Sequence, residues 1–320
     1  MEYVRLGAQG PWVSRVCFGS LAVSPLQGCV TLTEGQEVFR YACKQGIDWV
    51  DTAEIYGNYR QLAPVLATFP HVRVVSKSYA VTYEDMDKSL RAAHEGLGRG
   101  FIDIFLLHEQ EGVLTLRGHA GAWRRLVEAR ESGEVGWIGI STHTVSGVRE
   151  GCLFPGMQVI QTILNYAGLG IVGGSLAQMR AAVRLASEVG VGVYAMKVFG
   201  GGHLIRTARE ALDYVMGLAD VPAMALGMSN RAEVDFNVRY LAGLPLDDET
   251  VASVVCRIRR LTIADWCDGC GECLDYCPSQ ALSLAETKSE VVAKCVVDRR
   301  RCVLCGYCGR VCPHFCLKIV

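Results

Sequence analysis

Between residues 16 and 242, short apolar runs alternate with longer amphipathic stretches. The short runs fall at 16–18, 47–50, 72–76, 102–107, 135–140, 159–163, 191–196 and 223–226. They are rich in β-branched residues and bounded by glycine or polar residues, which marks them as strands. Between them the spacing predicts helices such as 35–45, 83–96, 120–132, 175–189 and 206–218. Eight strand–helix units in this span predict an α/β fold of the (β/α)8 TIM-barrel type. The rival, a doubly wound open sheet, usually shows a glycine-rich phosphate loop directly after its first strand, and Gly19-Ser20 after Phe18 is not such a loop. Upstream, apolar segments at 3–6 and 12–13 flank residues 7–11 and read as a hairpin plugging the barrel floor.

The pattern breaks at Pro245, and its second part is of another kind. Three spans are expected: a barrel over 1–245, a connector over 246–265 with a helix at 250–261, and a small α+β module over 266–320. Arg257, Arg259 and Arg260 on the connector read as a solvated face. The module carries one cysteine spacing twice. Cys267, Cys270, Cys273 and Cys277 precede Pro278, and Cys302, Cys305, Cys308 and Cys312 precede Pro313. C-x2-C-x2-C-x3-C-P is the run that holds [4Fe–4S] clusters in bacterial two-cluster ferredoxins, where the fourth cysteine serves the other cluster. The expected sets are therefore Cys267, Cys270, Cys273 and Cys312 for one cluster, and Cys302, Cys305, Cys308 and Cys277 for the second. Structural zinc favours separated pairs of cysteines, and disulfides need an oxidising compartment, so neither fits this run as well.

Composition narrows the reading further. The chain has 320 residues, half of them hydrophobic, and a net charge of −1. That charge argues against a nucleic-acid or membrane-surface partner. With no signal-like start and no apolar run of about 18 residues, a cytoplasmic protein without membrane spans is expected. The cysteines outside the two runs (Cys17, Cys29, Cys43, Cys152, Cys256, Cys295 and Cys316) read as small buried apolar side chains.

Barrels of this type place their chemistry at the C-terminal strand ends, here Asp51, Lys77, His108, Ser141, Asn165, Lys197 and Ser229. Asp51, Tyr56 on the following loop, Lys77 and His108 form a set able to make a tyrosine a general acid. A neighbouring ammonium lowers a phenol's pKa, a carboxylate holds the ammonium, and a histidine can hold a carbonyl oxygen or share in proton transfer.

Over about residues 3–242 the sequence resembles the aldo–keto reductase family. The supporting residues are Asp51-Thr52-Ala53-Glu54-Ile55-Tyr56-Gly57, Val75-Ser76-Lys77, Phe105-Leu106-Leu107-His108, Gly139-Ile140-Ser141, Gln161 with Asn165-Tyr166, and Met228-Ser229-Asn230 before Asn237. The tail resembles the two-cluster ferredoxin domain fused to one branch of that family. The resemblance implies the barrel, NADP(H) or NAD(H) as hydride donor, and reduction of a small carbonyl compound to a hydroxyl with Tyr56 as proton donor. It places cofactor contacts at Ser141, Gln161, Met196, Lys197, Ser229, Asn230 and Asn237. Three departures stand out: Met196 where an aromatic ring usually stacks on nicotinamide, Thr142 for an asparagine, and Glu233 near the arginine that often clamps the adenosine 2′-phosphate. Gly168–Gly174 and Gly200–Gly202 suit either a phosphate-binding backbone or plain turns.

Two clusters could hold the two electrons of one hydride, so a redox link to ferredoxin or another one-electron carrier is expected, with the module near the pocket. The alternatives are a plain NAD(P)H reductase with structural clusters, and a non-enzymatic redox-sensing or electron-relay subunit with a nucleotide-binding barrel.

Overall fold

The computed structural model describes residues 1–27, 30–255, 259–285 and 293–320. Strands β1 (Tyr3–Arg5) and β2 (Trp12–Ser14) pair antiparallel. There follow β3 (Val16–Gly19), α1 (Leu32–Lys44), β4 (Trp49–Asp51), α2 (Tyr59–Thr68), β5 (Arg73–Ser78), α3 (Tyr83–Leu97) and β6 (Ile102–Leu107). Next come α4 (Val113–Gly118), α5 (Ala120–Glu131), β7 (Val135–Thr142), α6 (Val145–Gly151), β8 (Val159–Ile163), α7 (Leu176–Glu188) and β9 (Gly192–Met196). The barrel ends with α8 (Ala208–Met216), β10 (Ala223–Gly227) and α9 (Arg231–Leu241). Strands β3 to β10 form a closed parallel barrel, with β10 pairing both β9 and β3.

Period-two alternation along the strands builds the barrel in two shells. Val16, Phe18, Val50, Val74, Phe105 and Leu107 face the helices. Cys17, Trp49, Val75, Ile104, Leu106, Val159 and Tyr194 fill the interior, and Leu6 and Val13 of the hairpin close it from below. Capping boxes start α1 at Thr31–Glu34 and α7 at Ser175–Gln178.

After α10 (Asp248–Val255), the expected connector helix runs into residues outside those described. Leu261 does not continue a helix. It opens β11 (Leu261–Ile263), which pairs with the last strand of the cysteine module. That module comprises α11 (Glu272–Asp275), β12 (Leu282–Ala285), β13 (Lys294–Val297), α12 (Tyr307–Val311) and β14 (Leu317–Ile319), with β12 on β13 and β11 on β14. Its core is built of the cysteines themselves with Leu261, Leu282, Leu317 and Ile319.

The module sits on the barrel mouth, and Phe315 is its anchor. This side chain is 2% exposed. A Cβ added at Gly170 would lie 2.6 Å from its ring, and one at Gly201 would lie 2.8 Å away. A Cβ at Gly202 would collide with the carbonyl of Ile319. The glycine clusters thus form a socket for the docked module. Gly170, Gly201 and Gly202 all have positive φ, so their freedom serves both the turn and the close approach. Among the described residues, no helix is long and apolar enough to cross a membrane.

Candidate active site beneath the cysteine module

The alternation that fills the barrel interior also sets the site. One inward step beyond Trp49, Val75, Leu106 and Val159 lie Asp51, Lys77, His108 and Gln161. The inward column changes from apolar to polar at the C-terminal rim. Lys77 is 1% exposed, and its ammonium donates at 2.7 Å to Asp51 Oδ1 and at 2.7 Å to the Thr52 carbonyl. The other carboxylate oxygen of Asp51 accepts from Gln161 Nε2 at 3.0 Å and from Tyr194 Oη at 2.9 Å.

Tyr56 ends a single 3-10 turn, Glu54–Tyr56, which Gly57 closes at φ 65°. Glu54 ties that turn down by accepting from Ser78 Oγ at 2.7 Å and Ser89 Oγ at 2.8 Å. The Lys77 ammonium lies 5.2 Å from the centre of the Tyr56 ring, and the His108 ring is 6.1 Å away, edge-on. Tyr79 stacks on His108 at 4.4 Å and donates to Glu109 Oε2 at 2.6 Å. The four expected residues are therefore brought together. One expectation fails in sign: the Tyr56 phenol is held well above its ordinary value, by burial first and then by the charges of Asp51 and Glu109. The ammonium meant to lower it is paired to a carboxylate at 2.7 Å, and desolvation of the phenolate dominates. Burial, aided by Lys77 and Lys197, pushes His108 well below its usual value, so the imidazole is neutral at pH 7.

A cavity of about 230 Å³ opens beside Tyr56 and Asp51, lined also by Gln161, Met196, Lys197, Ser229 and Asn237. Two other expected cofactor contacts lie outside its lining. Ser141 Oγ accepts from Glu109 N at 2.9 Å, and Asn230 caps α9 by accepting from Glu233 N at 2.9 Å. Among the described residues, buried Gln161 Oε1 and Asn237 Oδ1 have no hydrogen-bond partner. Phe315, Lys318, Ile319 and Val320 of the cysteine module roof the cavity. No sequence signal pointed to these four, because their place depends on docking between segments far apart in the chain. The side chain of Arg259, expected on a solvated face, is instead 8% exposed and lies 3.6 Å from Glu233. Glu233 Oε2 in turn accepts from Ser229 N at 2.7 Å. The pairing to a carboxylate of the barrel is what draws Arg259 inward. Arg257 lies outside the described residues, and Arg260 is exposed.

In the module, Cys277, Cys302, Cys305 and Cys308 line one small cavity. Burial and then the charges of Cys305, Cys273, Cys277 and Cys302 push Cys308 up to about 12. Two cysteines outside the repeated runs are buried as expected but have company. Cys295 Sγ lies 3.5 Å from Cys273 Sγ, and Cys316 N donates to Cys312 Sγ at 3.2 Å. The hydrogen bond from the Cys316 thiol is the main reason that Cys312 is lowered to about 6. Cys17, Cys43 and Cys152 are buried, and Cys29 and Cys256 lie outside the described residues. Among the described residues, no three His, Cys, Asp or Glu side chains converge as ligands of a single ion would.

Known proteins bear on both parts. Residues 15–210 match the model of the aldo/keto reductase family, and residues 266–316 match that of a 4Fe-4S dicluster domain. The protein named "Probable aldo-keto reductase 1" from Glycine max is 27% identical over 170 residues, 47% of this chain and 47% of that one. The chain thus spans about half the length of that curated relative. An aldo-keto reductase structure from Bacillus halodurans, in its holo form, superposes with a TM-score of 0.66 at 17% identity, covering 79% of this chain and 95% of that one. At that identity the likeness concerns the fold. The chain belongs to the aldo/keto reductase family and carries a 4Fe-4S dicluster domain beyond its barrel.

Proposed function

We propose that the protein is an oxidoreductase interconverting a small carbonyl compound and its hydroxyl counterpart, with Tyr56 as general acid and base. The observation that carries this reading is the buried Lys77–Asp51 pair at 2.7 Å, with its ammonium against the Tyr56 ring and a neutral His108 alongside. In the reducing direction Tyr56 Oη gives its proton to the carbonyl oxygen as the carbon gains hydride. The raised phenol pKa keeps that proton in place at neutral pH until an oxyanion develops. His108 steers the carbonyl oxygen toward Tyr56, and Lys77 stabilises the phenolate left behind.

A nicotinamide nucleotide, when bound, supplies the hydride. The lone amide oxygens of Gln161 and Asn237 suit its amide and base N–H groups. The far end suits a 2′-phosphate poorly, because the Ser229 N–H and the Arg259 charge are both engaged by Glu233. NADH is therefore favoured over NADPH. The eight repeated cysteines hold two [4Fe–4S] clusters in the crossed sets named above, and the cavity lined by Cys277 with Cys302, Cys305 and Cys308 supports that crossing. Such clusters pass single electrons, which fits exchange with a ferredoxin-like carrier.

The test is Tyr56→Phe in anaerobically reconstituted protein, with iron content and NADH binding measured beside carbonyl reduction. Turnover should drop by about 10²–10⁴, the usual weight of general acid catalysis, while iron and NADH binding persist. Unchanged turnover would remove Tyr56 from the reaction.

A further inference from the structure

Two lysines converge on this cavity from different modules. Lys197 follows β9 of the barrel, and Lys318 lies in β14 of the roof. Lys197 Nζ lies 3.0 Å from His143 Nε2 and 4.5 Å from the centre of the Phe315 ring. Lys318 Nζ lies 4.3 Å from the Trp266 ring centre. Neither ammonium has a carboxylate within salt-bridge distance among the described residues. Glu109, an acid group whose charge reaches both lysines, is 3.9 Å from His143 and engaged by Tyr79.

The cluster is costly to assemble. Burial, then the Lys318 charge, lowers Lys197 to about 7. Lys197 also holds φ at 56°. For a residue with a Cβ, a left-handed backbone is sterically disfavoured. Such strain persists where surrounding structure imposes it, often at ligand sites. Glu109 and Phe315, at φ 50° each, share this conformation around the same mouth. Like charges gathered under an apolar roof are relieved by an anion placed between them.

We infer that Lys197 and Lys318 form the binding site for a carboxylate carried by the substrate, so that the compound reduced or oxidised beside Tyr56 is an oxo or hydroxy acid. This rests on the oxidoreductase reading above and narrows its substrate class. The site is shared between barrel and module, so it is complete only when the module is docked. His143, held against Lys197, sets the direction of that ammonium.

The experiment uses full-length, anaerobically reconstituted protein and isothermal titration calorimetry. The probes are succinate, neutral succinamide and inorganic pyrophosphate. Succinate should bind and succinamide should not. Lys197→Met and Lys318→Met should each weaken succinate at least tenfold. Lys197→Arg and Lys318→Arg should recover most of that loss, which separates lost charge from a module that fails to dock. Lys88→Met on the exposed face of α3 should change nothing. Succinate binding that is absent, or indifferent to both lysine substitutions, overturns the site. Lysine-dependent pyrophosphate binding tighter than that of succinate reassigns the lysines to a nucleotide and overturns the substrate claim. A parallel assay compares succinic semialdehyde with butanal. Equal turnover of the two removes the carboxylate preference and leaves the oxidoreductase reading standing. Lysine-dependent succinate binding without turnover of any carbonyl does the reverse.

Discussion

If Phe315 docks the module by filling a glycine socket, then Gly201→Ala and Phe315→Ala must be strongly coupled. Removing a fully buried phenylalanine ring costs about 3–5 kcal/mol. Here the ring also faces the Lys197 ammonium at 4.5 Å, a contact worth roughly 0.5–2 kcal/mol. Gly201→Ala carries two costs. One is the backbone at φ 66°, about 1–2 kcal/mol for a residue with a Cβ. The other is the new methyl group, 2.8 Å from Phe315 Cζ and 3.0 Å from Cε1, against a ring that is itself 2% exposed. Overpacking of that kind costs about 1–3 kcal/mol. In a Phe315→Ala background the second cost disappears and the first remains. The double-mutant cycle should therefore return a coupling of about 1–3 kcal/mol. Native-state hydrogen exchange of the Gly200, Gly202 and Leu204 amides reads the opening locally, since these bond to Lys197 and Phe199 carbonyls beneath the module. Amides of β8 serve as the internal control. An equal cost for Gly201→Ala in both backgrounds, or unchanged exchange in Phe315→Ala, would refute the socket.

Glu233→Gln should narrow the preference for NADH over NADPH, read as the ratio of kcat/KM values, because the carboxylate facing a 2′-phosphate becomes neutral. An unchanged ratio would place the phosphate elsewhere. Lys197 releases its proton near 7 in the folded chain but near 10.4 when unfolded, so the unfolded state binds more protons between those values and folded stability rises with pH there. Lys197→Met should thus raise the melting temperature more at pH 6.5 than at pH 9.5, and an equal gain at both would contradict that titration. Cys316→Ala removes the thiol that donates to the Cys312 sulfur, leaving the backbone N–H of residue 316 in place, and should lower the potential of one cluster while iron content holds, as followed by potentiometric EPR. Two unshifted potentials would show that Cys316 does not tune either cluster.

The sequence carried the barrel and most of its rim, for a simple reason. Strands β4, β5 and β6 are apolar runs that each lead to a polar inward residue, so Asp51, Lys77 and His108 stand out by position. The repeated cysteine spacing is local, and local spacing survives in one dimension. What could not be read depends on long-range docking. Arg259 sits in a basic stretch that resembles a solvated face, and only its approach to Glu233 buries it. Phe315 and Lys318 gain their meaning from a barrel mouth built more than a hundred residues earlier. The glycine clusters were visible, but a bare glycine run fits a phosphate loop, a turn and a socket alike. The sign of the Tyr56 shift was missed because a sequence shows which charges are near, not how deeply the phenol is buried or how fully Asp51 occupies Lys77.

The docking also decides which experiments can separate the remaining readings. Cys312, Phe315, Cys316 and Lys318 lie on one short segment, and Cys312 and Phe315 are at most about 11 Å apart along an extended chain. A proposed cluster ligand, the anchor of the roof and a cavity lysine therefore move together. Replacing a proposed cluster ligand such as Cys273 would loosen the roof as well as remove iron. Loss of turnover in that variant would be the same whether the clusters carry electrons or merely brace the module. A useful perturbation must leave the roof in place and address the electrons alone. Anaerobic titration of the intact protein with substrate or NADH does this. Bleaching of the cluster absorption, matched to substrate converted, would place the clusters in the reaction. Full turnover with no bleaching by any donor would leave them as structural supports.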